Sequence, residues 1–346
     1  MNVSDKIKAK GLEIGFTHVG ITTMADFPDY ERELVSRDDY EIWHTEDRSK
    51  YPGRSDLRSA AHPKKFYPEG KAIICATFGY SQYAYPTELT ECIARAYLSR
   101  AYVPQLESQA GVRVSEFRRY IKSLGINIYD GDYEIPERAA CARAGIITYG
   151  KNNFAYTKED GSFNILYTFL VDKELDAVEE NPRCECPDNC TKCIDACPSS
   201  AILRAGRLAP RNCAMNIHQS PVADIPEDLW DKFNQRIHGC DECQLACPRN
   251  QGALKKANRK DMFLEDLKEK FDLEKVLLMD EEYYEDAVKP IMYNYIRDMD
   301  IFRRNAALAL GNSGDKGHIP ALEKAKEYGN PELNRVLDWA IKRLEE

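Results

Sequence analysis

The sequence lacks any apolar run close to the roughly 18 residues that a helix needs to cross a bilayer. Its N-terminus, Met-Asn-Val-Ser-Asp-Lys-Ile-Lys-Ala-Lys, mixes charges and has no apolar core of the kind found in secretory signals. We therefore expect a protein that does not enter membranes and stays in the cytoplasm. At 346 residues, with 43% hydrophobic and 30% charged residues, the chain has the size and composition of a globular protein of two or three domains.

Positive charge is also in short supply, because 48 Lys and Arg residues stand against 57 Asp and Glu residues and leave a net charge of -9. Binding of nucleic acid phosphates needs clustered Lys and Arg, so the composition excludes a protein whose whole surface binds nucleic acid. A local basic patch is compatible with the sequence. The candidate pairs, each of which could equally be a solvated face, are Lys64-Lys65, Arg118-Arg119, Lys255-Lys256 and Arg303-Arg304.

The first half of the chain alternates apolar segments with helical periodicity. Buried strands are predicted at residues 17–22, 71–80 and 163–171, with helices at 89–102 and 115–124 between them. Such alternation is typical of an α/β domain with a layered sheet, and we assign it residues 1–178.

Two further units follow. Residues 179–250 replace the periodicity with Pro- and Cys-rich turns, which indicates a separate module. Residues 251–346 are predicted to be helical, with breaks at Gly311-Asn312-Ser313-Gly314 and Gly329-Asn330-Pro331. The helices of this tail resemble HEAT repeats. One or two such repeats cannot bury their apolar faces alone, so we expect the tail to dock on the rest of the chain.

Cysteine is abundant and unevenly placed, since nine of the 12 cysteines lie between Cys184 and Cys247. The runs Cys190-x2-Cys193-x3-Cys197-Pro198 and Cys240-x2-Cys243-x3-Cys247-Pro248 both have the form of bacterial ferredoxin motifs. They predict two 4Fe-4S clusters in a ferredoxin-like module. Structural zinc is the alternative, but it usually shows two C-x2-C pairs instead. The remaining cysteines are expected to be small buried hydrophobes, and they are Cys75, Cys92 and Cys141.

The ligands of each cluster are expected to come from both runs, because in two-cluster ferredoxins the Cys before Pro binds the other cluster. The first cysteine set is then Cys190, Cys193 and Cys247 with Cys186 or Cys184, and Cys186 is favoured because it lies nearer the usual spacing. The second cysteine set is Cys197, Cys240 and Cys243, completed by Cys213 between the runs.

Further segments spread in order along nearly the whole chain carry a family resemblance. They are Gly15-Phe16, Val19-Gly20-Ile21, Glu137-Arg138, Arg143-Ala144-Gly145, Gly150-Lys151-Asn152, Gly161-Ser162-Phe163, the two cysteine runs, His238-Gly239-Cys240, Pro248-Arg249-Asn250 and Arg304-Asn305-Ala306-Ala307. Together they resemble the epoxyqueuosine reductases. The resemblance implies a cobalamin bound between the α/β domain and the iron-sulfur module, and the absence of a D-x-H-x-x-G motif agrees with a cobalt that has no histidine ligand of that kind.

The same resemblance implies a reaction and its residues. Two electrons would pass from the clusters to cobalt and substrate, while a carboxylic acid protonates the leaving oxygen. The family's Asp aligns with Gly131, so the acid is expected at Asp132, with Asp130 second; the segment could also be an ordinary turn. The residues expected to bind the cofactors are Arg58, Arg138, Arg143, Ala144, Gly145, Lys151, Asn152, Gly161, Ser162 and His218.

Substrate and partners remain open between three hypotheses. The first is reduction of epoxyqueuosine in tRNA to queuosine, with a small electron donor protein of ferredoxin or flavodoxin type. The second is a related cobalamin-dependent reductase of a small organic epoxide or halide. It is favoured by departures from the family at residues 146–149 and 289–295. The third is an electron relay without substrate chemistry of its own.

Overall fold

The structure is a computed structural model that describes residues 1–47, 55–132, 134–222, 225–292 and 298–346. Its strands are β1 His18–Thr23, β2 Ala72–Gly79, β3 Thr148–Tyr149, β4 Ala155–Tyr156, β5 Asn164–Val171, β6 Ile202–Arg204 and β7 Arg207–Leu208.

The α-helices fall into three groups along the chain. Those among or beside the first five strands are α1 Val3–Ile14, α2 Pro28–Val35, α3 Tyr40–Trp43, α4 Pro63–Phe66, α5 Thr87–Thr90, α6 Arg95–Leu98, α7 Gln109–Ser123 and α8 Glu137–Arg143. Those of the cysteine-rich segment and just after it are α9 Lys192–Asp195, α10 Ala214–Ile217, α11 Glu242–Leu245 and α12 Gln251–Leu254. Those of the tail are α13 Met262–Leu267, α14 Leu273–Leu277, α15 Glu281–Tyr283, α16 Met299–Gly311, α17 Ile319–Ala325 and α18 Pro331–Glu345.

The central sheet has the order β1-β2-β5, and both neighbouring pairs are antiparallel. Every residue of β2 is buried, because helices cover both faces of the sheet. Ile74 lies in the core shared with α1 and α7, whereas its neighbours Ile73 and Cys75 lie in the core under α8. Successive side chains of a strand point to opposite faces, so the apolar run of β2 serves two cores. The predicted mixed α/β character and all three predicted strands are confirmed.

The helix predicted at residues 89–102 is wrong in part. The structure has the short helices α5 and α6 there, separated at Cys92-Ile93-Ala94. The Ala94 amide donates to the carbonyl of His238 at 2.9 Å, and the Ile237 amide donates to the carbonyl of Cys92 at 2.8 Å. The backbone at the break pairs with the cysteine-rich segment, so it cannot make the hydrogen bonds of a continuous helix.

The helical tail docks on the cysteine-rich segment through α16. Arg304 is fully buried and donates to the backbone carbonyls of Ile217, Ser220 and Pro221 at 2.8–3.1 Å. Asn305 donates to the carbonyls of His218 and Ile237. The docking expected from the sequence is therefore present. Among the described residues, no helix is both long and apolar enough to cross a membrane.

Candidate functional site

The cysteines of the two ferredoxin-like runs lie near one another in the folded chain. Burial raises the pKa of Cys193, and the nearby thiolates of Cys247, Cys186 and Cys190 raise it further. Burial likewise raises the pKa of Cys243, together with the thiolates of Cys240, Cys213, Cys197 and Cys193. Because Coulomb repulsion between thiolates falls off with distance, these thiols lie near each central thiol. Cys247 of the second run is thus near Cys193 of the first, and Cys197 is near Cys243, while the division into two sets of four stays a prediction.

Cys184 and Cys186 have different surroundings. Cys184 is exposed and its backbone forms a bridge with Tyr149. Cys186 is half-buried, and its Sγ lies 4.0 Å from Nη1 of Arg249. The Cys186 thiolate contributes to raising the pKa of Cys193. The geometry therefore favours Cys186 as the fourth member of the first cysteine set.

The hairpin formed by β3 and β4 packs against the first cysteine set. Lys151, in its turn, donates from Nζ to the carbonyls of Pro187 and Asp188 at 2.8 Å and of Cys190 at 3.0 Å. One ammonium group thus holds the loop that carries Cys190. The neighbouring Asn152 is buried and donates to the Tyr156 hydroxyl at 3.1 Å and to the carbonyl of Cys243 at 3.5 Å.

A buried polar network joins the start of β5 to the second cysteine run. The Ser162 amide donates to Oδ1 of Asn250 at 2.9 Å, and the Ser162 hydroxyl donates to Oε1 of Gln244 at 2.9 Å. Asn250 in turn donates to the carbonyl of Gln244 at 2.7 Å. Gly161 has a φ of +57°, and a Cβ there would lie 2.1 Å from Oδ1 of Asn250. Asn250 therefore makes the close approach that Gly161 permits, and cofactor binding by Gly161 stays a prediction.

Arg143, Ala144 and Gly145 stabilise the sheet and the end of α8. The Arg143 guanidinium donates to the Thr22 hydroxyl at 3.0 Å and to the carbonyls of residues 23, 25 and 26, and it stacks 3.9 Å from the centre of the Phe27 ring. Gly145 has a φ of +74° and donates to the carbonyl of Ala142, as a glycine just past a helix does. The Ala144 side chain, between these two residues in sequence, is buried. Cofactor binding by the three residues stays a prediction.

The carboxylates near the predicted acid differ in their surroundings. Asp130 is exposed and forms ion pairs with Arg118 and with Lys122, the latter at 2.8 Å. Both carboxylate oxygens of Asp130 are therefore engaged by cationic side chains. Asp132 is exposed in the same turn. Glu137 opens α8 next to Arg138; its side chain reaches solvent, yet desolvation by the surrounding protein raises its pKa to about 7. Sequence reasoning did not single out Glu137 as an acid, although the Glu137-Arg138 pair was a signal.

The remaining predicted residues lie apart from one another. Arg138 is exposed and donates to the carbonyl of Asn153 beside Lys151. Arg58 pairs with Glu31 at 2.7 Å on the surface. His218 is buried against Phe233, and burial holds its pKa well below the usual value, so its ring is neutral. Neither Arg58 nor His218 lies on the hairpin of β3 and β4 that contacts the first cysteine set.

The prediction that Arg303 and Arg304 could belong to a basic surface patch is wrong. Arg304 is fully buried, and Arg303 is only 8% exposed, donating to the carbonyl of Met279 and pairing with Asp300. Arg118 is held by Asp130. Within the described ranges, no group of three or more His, Cys, Asp or Glu side chains is spaced to hold a single metal ion.

Comparison with known proteins matches residues 185–250 to the family described as the 4Fe-4S double cluster binding domain. The segment is therefore a 4Fe-4S module, and this confirms the cluster prediction over structural zinc. The chain is 29% identical to epoxyqueuosine reductase of Escherichia coli over 358 residues, covering 98% of this chain and 89% of the relative. It is 25% identical to that of Staphylococcus aureus, over 96% of this chain and 86% of the relative.

Solved structures share the fold. The epoxyqueuosine reductase of Streptococcus thermophilus superimposes with a TM-score of 0.79 at 23% identity, covering 99% of this chain and 90% of that one. An epoxyqueuosine reductase crystallised with an epoxyqueuosine-modified stem loop of tyrosine tRNA superimposes with a TM-score of 0.69 at 22% identity, covering 99% and 98%.

Proposed function

We propose that this chain, a homologue of the epoxyqueuosine reductases over nearly its full length, is an iron-sulfur oxidoreductase that reduces epoxyqueuosine in tRNA to queuosine in the cytoplasm. The observation that carries the proposal is the full-length likeness to reductases of that name, combined with a double 4Fe-4S module. Removal of an epoxide oxygen takes two electrons and two protons, and the oxygen leaves as water. Two one-electron clusters can deliver the electrons in turn, from a donor of ferredoxin or flavodoxin type.

We assign the clusters to the two cysteine sets, with Cys186 rather than Cys184 as the fourth ligand of the first. The donor set fits, because the matched 4Fe-4S segment, residues 185–250, contains all eight of these cysteines. Lys151 and Asn152 support this site by binding the backbone of the loops that carry the ligands. We also propose that the three units meet at residues 178 and 250. The tail is proposed to be HEAT-like.

Cobalamin is proposed as a further cofactor on the family resemblance. When bound, it supplies a reducible cobalt centre between the clusters and the substrate. The predicted contacts fit it poorly, because Arg143, Gly145 and Gly161 are occupied by protein partners. Arg138 is exposed at the start of α8. Among the residues predicted to bind a cofactor, it is the one best placed to contact cobalamin.

We propose that Asp132 is the acid that protonates the leaving oxygen. Glu137 is an alternative that comes from the structure and not from the sequence. A proton donor works best with a pKa near the working pH, and a pKa of about 7 for Glu137 meets that requirement. Asp130 remains the second candidate from the sequence, although its two cationic partners oppose it.

A related reductase of a small organic molecule is the second candidate function. The burial of Arg303 and Arg304 favours this second function, because a buried basic pair is not available to bind tRNA, and the chain has a net charge of -9. Residues 293–295 of the departing segment lie outside the described residues.

The test is anaerobic purification with reconstituted clusters and added cobalamin, followed by assay on tRNA that contains epoxyqueuosine. Formation of queuosine is expected. Among the variants Asp132→Asn, Glu137→Gln and Asp130→Asn, the first should lose activity by about 100-fold or more. A loss confined to one of the other two would move the acid there. Bound cobalamin without conversion would support the small-molecule reductase, and failure to bind any corrinoid would support the electron relay.

A further inference from the structure

The segment between α5 and α6 holds the backbone that leads into the second cysteine run. The Ala94 amide donates to the carbonyl of His238 at 2.9 Å. Gly239 follows with a φ of +70°, and a Cβ there would lie 2.4 Å from the Tyr97 ring and 2.8 Å from Cβ of Ala94. Only glycine fits this position without displacing its neighbours. The α/β part therefore lies directly against the chain just before Cys240.

An ion pair joins the same segment to the run itself. The Arg95 amide donates to Oδ2 of Asp241 at 3.0 Å, and Nη1 of Arg95 donates to the same oxygen at 2.9 Å. Oδ1 of Asp241 accepts from Nε2 of Gln244 at 3.2 Å, and the Asp241 carbonyl accepts from the Gln244 amide at 2.9 Å. Asp241 thus ties together the turn that carries Cys240 and Cys243, and Arg95 holds that turn from outside the run.

The ion pair lies in the protein interior. Asp241 is fully buried, and the Arg95 side chain is 23% exposed. Among the residues that the structure describes, no second cation forms an ion pair with Asp241. A buried carboxylate that loses its cation is strongly unfavourable, because its charge is left uncompensated away from water. The turn would have to move to bring Asp241 toward solvent, and Cys240 and Cys243 would move with it.

The first cysteine run has a different arrangement at the matching position. Thr191 stands between Cys190 and Cys193 where Asp241 stands in the second run. Thr191 is exposed, and its hydroxyl donates to Oδ2 of Asp195 in the same run at 2.7 Å. The ion pair from the α/β part therefore acts on one of the two runs, and its loss should affect one of the two clusters.

We propose that Arg95 is a positioning residue for the second cysteine set. Through Asp241 it fixes the turn that carries Cys240 and Cys243, and so it slows release of the cluster bound there. The inference rests on the clusters assigned under the proposed function. Side chains that hold metal ligands in place from outside typically change metal affinity about 10–100-fold when they are removed. We expect a change of that size in the rate at which the second set releases iron.

The test is a chelator challenge of the anaerobically reconstituted protein, with iodoacetamide present to alkylate each cysteine as its iron leaves. Peptide mass mapping at successive times identifies the cysteines released, and iron is counted per chain. Arg95→Met removes the cation, and a double variant that adds Asp241→Asn removes the buried negative charge as well. Arg100→Met is the matched control, because Arg100 makes a buried ion pair with Asp261, outside the cysteine-rich segment.

In Arg95→Met, Cys240 and Cys243 should be alkylated about 10–100-fold faster than in the wild type, with Cys190 and Cys193 unchanged. The double variant should recover most of the difference, since no unpaired buried charge remains. Arg100→Met should not separate the two sets. Equal acceleration of both sets in Arg95→Met, or rates equal to those of Arg100→Met, would overturn the inference.

If Arg95→Met does not fold, Arg95→Lys decides the matter. It keeps the charge without the planar guanidinium, so the second set alone should be released faster, and joint release of both sets would overturn the inference. Wild-type rates in Arg95→Met with intact conversion of epoxyqueuosine would overturn the inference and leave the proposed function standing. Selective release from a protein that does not convert epoxyqueuosine would support the inference and contradict the proposed substrate. Alkylation of Cys240 and Cys243 in the wild type without chelator would overturn the cluster assignment and the inference with it.

Discussion

Replacing Arg304 with Met should loosen the helical tail from the cysteine-rich segment. The Arg304 side chain is fully buried and makes hydrogen bonds to three backbone carbonyls across the interface, those of Ile217, Ser220 and Pro221. Met has a similar length and no donor, so the change removes the hydrogen bonds while retaining much of the apolar stem. The three carbonyls would be left without this partner.

The cost follows from these carbonyls. A buried acceptor that loses its partner costs about 1–3 kcal/mol, and two of the three contacts are only partly buried, so we expect about 3 kcal/mol in total. Since 1.4 kcal/mol is about tenfold in an equilibrium constant, the ratio of docked to undocked tail should fall about 100-fold.

Urea unfolding followed by tryptophan fluorescence can measure the loss. Trp230 of the cysteine-rich segment and Trp339 of α18 lie with ring centres 5.6 Å apart, so their emission reports the docking of the tail. Arg335→Met is the control, because its side chain is 50% exposed and an exposed ion pair contributes at most about 1 kcal/mol. Equal urea midpoints for Arg304→Met and the control would refute the reasoning.

Two further outcomes are expected. Lys151→Met should speed the loss of iron from the first cysteine set, because three carbonyls of the loop around Cys190 lose their common donor. The rate is measured by counting iron after dilution into a chelator. An equal rate in the variant Lys158→Met, which changes an exposed lysine, would contradict the prediction. The free energy of unfolding should fall as the pH drops below about 6.5, because the unfolded chain binds a proton at His218 that the folded chain, with its lowered His218 pKa, does not. His218→Gln should reduce that slope in urea titrations between pH 7 and 5, and an unchanged slope would assign the acid sensitivity to other groups.

Much of the architecture could be read from local patterns. The three strands of the sheet follow from apolar runs, and the iron-sulfur module follows from two C-x2-C-x3-C-P runs, because the spacing of ligands around a cluster is itself local. The helix expected at residues 89–102 failed for a non-local reason, since the backbone at Cys92 and Ala94 pairs with residues 237 and 238.

The contacts of the residues that carry the family resemblance depended on the tertiary structure. Arg143 had the appearance of a ligand-binding residue, yet it holds the segment after β1, more than 100 residues away. Gly161 makes room for Asn250, which lies almost 90 residues further along the chain.

Periodicity and cysteine spacing act over a few residues, and for that reason they predict the mixed α/β part, the double 4Fe-4S module and the helical tail without a structure. The side chains that contact the cysteine-bearing loops are known only from the folded chain. Lys151 reaches the loop of Cys190, and Asn152 reaches the carbonyl of Cys243, only after the hairpin has packed on the cysteine-rich segment. Hydrogen bonds depend on distances of about 3 Å, and no local pattern specifies which distant groups the fold brings that close.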